Sequence, residues 1–544
     1  MARARIAVVG MGPRGLGALE ALAACRQGHA EPLAVDIFDT CTTPGAGPNF
    51  DPAETPLCLL NIPHRDLSIR PPHRSRVGGF ADWLDRSPDP DAFPPRAEIG
   101  RYLADRYDEL AGLGPLDLRL LETRADRVDP DGAQWVIHAG GKRHGPYDEV
   151  LLTPGQPPVK PDPQLAEWQD HDAGALAGAY PARDLVETAR GWTGRTVAIR
   201  GLGLSTFDVL RALTSGQGGR FDEGRYHPSG REPARILPFS LDGKPPYPKP
   251  ATKEIDARFD ATDEETERFH DAIATAVRAD PDTARAAMTA ALVPAIRRVA
   301  EDMGIADPDP ETWIETEWRS PGDQEIGTTR EVLDAGIAMA SGERAPTCGY
   351  ILGQLWRKWQ DPFRVEVNPA DAPSETAATL NAFDEGLKRY SYGPPVGAAR
   401  ELRALADVGI VDLSFAANPE VTTTDGGWTL RCDESEASAS AMVDAVLPSP
   451  DLDTVDAPIF RDLAKTGRIS AVAPGLAART DADGTLIDAA GRPQRGLALL
   501  GRMALGSVMA VDSLHDCFGA SSHRWAEAAA KRLDHAPATP ALQP

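Results

Sequence analysis

The sequence predicts an α/β fold, and three observations predict it. Strand–glycine turn–helix units stand at 5–25 and 195–216. Alternating runs broken by Asp131-Gly132 and Gly140-Gly141 lie between them, as hairpin turns should. A long stretch after the second unit carries apolar residues at helical spacing. Together these describe two Rossmann-like dinucleotide-binding domains with β-meanders and a helical insertion.

The first unit reads RIAVVGMGPRGLGALEALAAC, with Gly10, Gly12 and Gly15 in the pattern G-x-G-x-x-G. That spacing arises by chance about 0.4 times in a chain with 50 glycines among 544 residues, so its context decides. An apolar β-branched run ends in Gly10, and Leu16, Leu19 and Leu22 follow at helical spacing. Gly10 permits the tight turn, Gly12 lets backbone approach a pyrophosphate, and Gly15 lets helix pack closely on strand. Pro13 and Arg14 complete the turn, where the helix N-terminus offers N–H groups and partial positive charge to phosphates. The next strand, LAVDIFD, ends in Asp39, placed to grip ribose hydroxyls; Asp36 is the register alternative.

The second unit, RTVAIRGLGLSTFDVLRALTSG, repeats the pattern at Gly201 and Gly203. Ser205 and Thr206 follow, and Thr206 replaces the third glycine. An ordinary βα turn is the competing reading. Two such units flanking a meander are more specific than either alone. Each is expected to hold one dinucleotide.

Composition narrows the partners. Net charge of −24 disfavours nucleic acid and anionic membrane surfaces. The N-terminus enters a strand-like run at once, without a signal-peptide pattern, and no run is long and apolar enough to span a bilayer. Six scattered cysteines without C-x-x-C read as reduced cytoplasmic thiols, which removes a dithiol redox mechanism. No H-E-x-x-H or paired metal histidines occur, and Ser205 lacks the G-x-S-x-G frame of a nucleophile elbow. The difficult chemistry therefore falls to a bound cofactor.

The segments GMGPRG, LLNIPHRDLSIRPP, FPPRAEIGRYLADR, LLTPGQPP and GLGLSTFDVL resemble the two-dinucleotide-binding-domain flavoproteins of the FAD/NAD(P)-binding group. That resemblance implies FAD at the first glycine motif and NAD(P)H at the second. Asn61, Gly155 and Gly501 join the cofactor-binding candidates on it, and the C-terminal helix is expected to point its N-terminus at the flavin. Residues 66–110 resemble the corresponding part of flavin-dependent N-hydroxylating monooxygenases. Asp66, Leu67, Arg70, Pro71, Phe80, Trp83, Leu84, Phe93, Arg96 and Glu98 match that layout.

The resemblance implies an FAD-dependent oxidoreductase that uses NAD(P)H and molecular oxygen to oxidise a small amine or amino acid. His64, Asp66 and Arg70 are the catalytic candidates, in a loop expected near the flavin ring. Arg225, Arg231 and Arg235 are candidate 2′-phosphate partners and lean the expectation to NADPH. Two alternatives stay open: a flavin oxidase or dehydrogenase with a vestigial second nucleotide domain, and a non-catalytic flavin-binding protein.

The expected organisation is an FAD-binding domain over 1–165 and 395–534, and a second nucleotide domain over 190–260. A helical insertion covers 260–390, in which Trp356 and Trp359 belong to the core. A disordered tail is expected over 535–544.

Overall fold

The computed structural model describes residues 4–72, 75–171, 174–306 and 308–535. Residues 536–544 of the expected tail lie outside the described residues.

Strand β1 (Arg5–Val9) enters helix α1 (Pro13–Cys25), and the chain returns as strand β2 (Leu33–Asp39). β1 pairs parallel to β2 and to Glu149–Leu152, with Ile6 opposite Val35 and Val8 opposite Ile37. Both faces of the sheet's centre are covered, which is why residues 6–9 and 150–152 are continuous apolar runs rather than alternating ones. Leu116–Glu122 lies outside β2 at one edge, and Pro493–Leu499 with Thr485–Ile487 completes the other. α1 packs on the C-terminal helix Ala520–Asp534 through Leu19, Leu22, Trp525 and Ala529. The predicted meander is a three-stranded antiparallel sheet over 125–147.

The second sheet is built around strand β3 (Thr196–Arg200), followed by helix α2 (Leu204–Leu213) and strand β4 (Arg235–Phe239). Its order is β4, β3, Ala441–Asp444, Ala175–Gly178, all parallel. This moves two expected boundaries. Residues 175–178 and 441–444 belong to the second sheet, so the second domain is wider than 190–260. The return to the first domain comes after 444, not at 395. Ala441, Met442 and Val443 are fully buried, as a central parallel strand requires. A four-residue apolar strand beside a meander does not declare in sequence which sheet it joins.

The 260–390 stretch is helical. Thr262 with Glu265 and Thr328 with Glu331 form reciprocal capping boxes at two of its helix starts. Trp356 and Trp359 are 2% exposed and pack against Phe269, so both are core side chains. Among the described residues no helix is long and apolar enough to cross a membrane.

Candidate active site

Both glycine turns open into one cavity of about 1870 Å³. Its walls also come from the 60–66 loop, the 240–249 loop, helical residues 357–392 and the segment 500–517.

The first cradle is shaped by three different constraints. Gly10 sits at φ +94°, and a methyl group there would overlap the Thr153 carbonyl oxygen. Gly15 lies under the turn, where a methyl would come 2.6 Å from the Gly10 carbonyl oxygen. It is therefore a packing residue and does not line the cavity. Gly12 is different: a methyl there would meet only the Gly47 Cα at 3.7 Å, so the free space beside it belongs to the cavity. α1 starts here without a side-chain cap and without an acidic residue in its first turn. Its unpaired N–H groups and dipole face the cavity as an anion site. A pyrophosphate fits this cradle.

Asp39 lines the cavity. Its carboxylate accepts hydrogen bonds from the N–H groups of Met11 and, at 2.8 Å, Cys41, so it also fixes the glycine turn. Asp36 is committed elsewhere, to Arg119 and Arg5 at 2.8 Å and the Tyr147 hydroxyl at 2.7 Å. Of the two register candidates, Asp39 is the one at the cavity wall. Arg14 lines the cavity, but its guanidinium is buried against Asp516 at 2.6 Å and donates to the Ser521 hydroxyl. It clamps the start of α1 to the C-terminal segment rather than standing free for a phosphate. Pro13, Asn61, Gly155 and Gly501 all line the cavity.

In the second cradle Gly201 takes φ +117°, and Gly203 precedes an uncapped α2. A methyl at Gly203 would meet nothing within 4 Å. Gly201, Gly203 and Ser205 line the cavity; Thr206 is buried behind them and donates a 2.9 Å hydrogen bond to the Gly201 carbonyl. Arg225, Arg231 and Arg235 do not reach the cavity. Arg235 pairs with Asp412, Arg231 donates to the Gln217 carbonyl at 2.9 Å, and Arg225 is exposed on a hairpin. Ser240, Asp242 and Lys244, just beyond β4, are at the wall instead.

The 61–70 loop separates the catalytic candidates. Asp66 lines the cavity, facing Arg357 at 3.4 Å. The His64 ring turns away and stacks on Phe80, with centroids 5.8 Å apart. Burial, helped by Arg86, lowers its pKa. Arg70 is exposed and paired with Asp82 at 2.8 Å. Neither His64 nor Arg70 lines the cavity, because the loop folds back onto the short helix Phe80–Trp83.

The structure adds residues that the sequence reading leaves unassigned. Lys249, Arg357, Lys388, Arg389, Tyr392, Arg502 and His515 line the cavity. Burial opposes ionisation of Asp512, yet Lys388 and Arg502 hold its pKa down to about 2. Burial, with Arg357 beside it, pulls the Lys249 pKa down to about 7. Arg96 donates to the Leu59 carbonyl at 3.2 Å and pairs with Asp208 at 2.9 Å, holding the start of the 59–66 loop to α2. On a chain of net charge −24, this wall is rich in cations.

Residues 7–157 match a family model described as FAD-NAD(P)-binding. The chain is 27% identical over 540 residues to a nitrosuccinic acid synthase of Aspergillus oryzae, covering 86% of this chain and 82% of that protein. It is 25% identical over 565 residues to a nitrosuccinate-forming L-aspartate N-monooxygenase of Streptomyces cremeus, covering 86% and 83%. The FAD-bound cadaverine monooxygenase of Erwinia amylovora has a similar fold, with a TM-score of 0.50 at 12% identity, over 97% of this chain and 94% of that one. The chain is an FAD-dependent oxidoreductase with the fold of the flavin monooxygenases, and its FAD-NAD(P)-binding match over residues 7–157 contains Gly10, Gly12 and Gly15.

Proposed function

We propose that this protein uses NAD(P)H and O2 to hydroxylate the amine nitrogen of a small acidic amino acid of the aspartate type. The observation that carries the reading is the shared cavity: two open glycine cradles, Gly12 and Gly203, face one chamber whose lining includes Lys249, Arg357, Lys388, Arg389 and Arg502. The relatives named for nitrosuccinate formation supply the substrate class.

The residues divide the work by position. Gly12 and the N–H groups of α1 would receive the FAD pyrophosphate, with Asp39 at the adenosine ribose. Gly203, Ser205 and the start of α2 would receive the nicotinamide dinucleotide. Bound FAD supplies the capacity to accept hydride and activate oxygen. The 60–66 loop and the 513–517 segment line the chamber, where exclusion of water by the bound nucleotides would protect the oxygen-transfer chemistry. His515, with its pKa lowered by burial, lies at this wall as a neutral imidazole near pH 7. In the net step one oxygen atom of O2 forms the N–O bond and the other leaves as water. NAD(P)H provides the two electrons.

Anaerobic mixing of the FAD-loaded protein with NADPH, NADH and L-aspartate separately identifies the reductant. Turnover of L-aspartate under labelled O2 should give a product carrying one labelled oxygen on nitrogen. Bleaching of the flavin by L-aspartate alone, with peroxide and no labelled product, would refute the proposal.

A further inference from the structure

Most cations in the cavity wall already have a carboxylate. Arg14 meets Asp516, Arg96 meets Asp208, Arg357 meets Asp256 and Asp66, and Lys388 meets Asp512. Lys249 is the buried exception. It is 7% exposed, it lines the cavity, and among the described residues no carboxylate lies within ion-pairing distance of it. Its ammonium donates to the backbone carbonyl of Asn61. The nearby Asp66 and Asp256 are drawn to Arg357 instead. A buried ammonium without a counter-ion is unfavourable until an anion arrives.

The segment that carries Lys249 is stiff. Pro245, Pro246, Pro248 and Pro250 surround it, each fixing its own φ. The Tyr350 hydroxyl donates to the Pro248 carbonyl at 2.9 Å, and Arg65 donates to the Pro250 carbonyl at 3.3 Å. Backbone hydrogen bonds from Tyr247 to Arg389 and from Lys249 to Pro394 tie it to a second cavity-lining segment. That second segment presents Tyr392, whose hydroxyl oxygen is buried without a hydrogen-bond partner. Two donors lacking an acceptor anion are thus carried on two chain segments bonded to each other. The glycine cradles, where phosphates fit, are built from other elements.

We propose that Lys249 is a specificity-determining residue: its ammonium binds a carboxylate of the amino-acid substrate, with the Tyr392 hydroxyl as a second donor. This rests on the amino-acid reading above. It also assigns a purpose to a lysine that a purely structural role would not favour over Met or Gln.

The test uses the FAD-loaded wild type, Lys249→Met, Lys249→Arg and Tyr392→Phe. Calorimetric titrations with L-aspartate, L-asparagine, L-isoasparagine and NADP+ are compared. In the wild type, one of the two amide replacements should weaken binding by about 30-fold or more, the scale for unpairing a buried charge. In Lys249→Met, L-aspartate should bind weakly by a similar factor, and that same amide replacement should cost almost nothing more. Lys249→Arg should keep the discrimination, Tyr392→Phe should lose part of it, and NADP+ affinity should hold throughout.

Unchanged L-aspartate affinity in Lys249→Met overturns the assignment. So does undiminished amide discrimination, or a loss of NADP+ affinity in place of L-aspartate. If Lys249→Met fails to hold FAD, Lys249→Gln replaces it, and a wild type indifferent to both amides overturns the proposal without any variant. A wild type that binds L-aspartate but yields no N-oxygenated product defeats the reaction while the binding comparison still decides the anchor.

Discussion

The two glycine cradles share a spacing, Gly10-Gly12-Gly15 against Gly201-Gly203-Thr206, yet their third positions are solved by different chemistry. In the first, a methyl at Gly15 would crowd the Gly10 carbonyl, and the hydroxyl that bonds this carbonyl comes from Thr153 at 2.6 Å, on another segment. In the second, Thr206 sits at the third position itself and supplies the hydroxyl to the Gly201 carbonyl at 2.9 Å. Both turns end with the first glycine's carbonyl satisfied by a threonine. The glycine fingerprint therefore encodes a requirement of the turn, and a glycine at the third place is one way among others of meeting it. The replaced glycine leaves the cavity-facing position of the second cradle, Gly203, open.

The comparison can be broken most severely at the positions that face the cavity. Gly12→Val fills the space beside the first cradle. It should weaken FAD binding by about 100-fold or more, roughly 2.8 kcal/mol, and give a colourless purified protein. Retention of stoichiometric flavin would place the pyrophosphate elsewhere. Gly203→Val is the matching change in the second cradle. The flavin should stay bound while its anaerobic reduction by NAD(P)H slows by at least ~10-fold. Loss of both nucleotides in this variant would mean that the cradles are not independent.

Changes behind the cradles should be smaller and should act on stability. Thr206→Val keeps the shape but leaves the Gly201 carbonyl without its hydroxyl, at about 1–2 kcal/mol, read as a lower thermal midpoint. Thr206→Ser should recover most of that loss. Thr206→Gly restores the expected fingerprint; if it improved NAD(P)H-driven reduction, the equivalence of the two solutions would fail.

The smallest effect concerns His64, which lies outside the cavity, stacked on Phe80, and has no counterpart at the second cradle. Its pKa is lowered from 6.5 in the folded protein by burial first and by Arg86 second. Above that value both folded and unfolded chains carry it neutral. As pH falls below 6.5 the unfolded chain binds the proton first, so folding stability is lost toward the lower folded value. Thermal midpoints measured downward from neutral pH should fall less steeply in His64→Gln. An unchanged slope would show that the ring protonates equally in both states.

The cradles were legible in the sequence because a backbone that must approach a phosphate tolerates few residue types. The same is true of the meander, whose turns need Gly132, Gly140 and Gly141 at positive φ. The loop at 61–70 was not legible in the same way. Without strand or helix periodicity, nothing local says that Asp66 faces the cavity while His64 stacks on Phe80 and Arg70 pairs with Asp82. The cationic wall was hidden for another reason: Lys249, Arg357, Lys388 and Arg502 come from four separate segments, and only the folded chain brings them together. Arg14, expected in the turn around the pyrophosphate, carries no local sign of Asp516, its partner 502 residues away in the chain.

The late strand Ala441–Asp444 has a consequence for how the molecule is made. The first sheet opens at Arg5 and the second at Ala175; the second closes only with residues 441–444, and the first only with 493–499. The two sheets are thus nested like brackets, with the helical stretch innermost. As the chain leaves the ribosome, the helices can pack before either sheet has its full set of strands, and the domain begun first is finished last. Until then both sheets hold strands with unpaired edges, which are open to wrong partners. A chain cut after residue 440 leaves two incomplete sheets rather than one finished domain and one missing one. The sheets that carry the two glycine cradles are therefore completed one after the other, both late in synthesis.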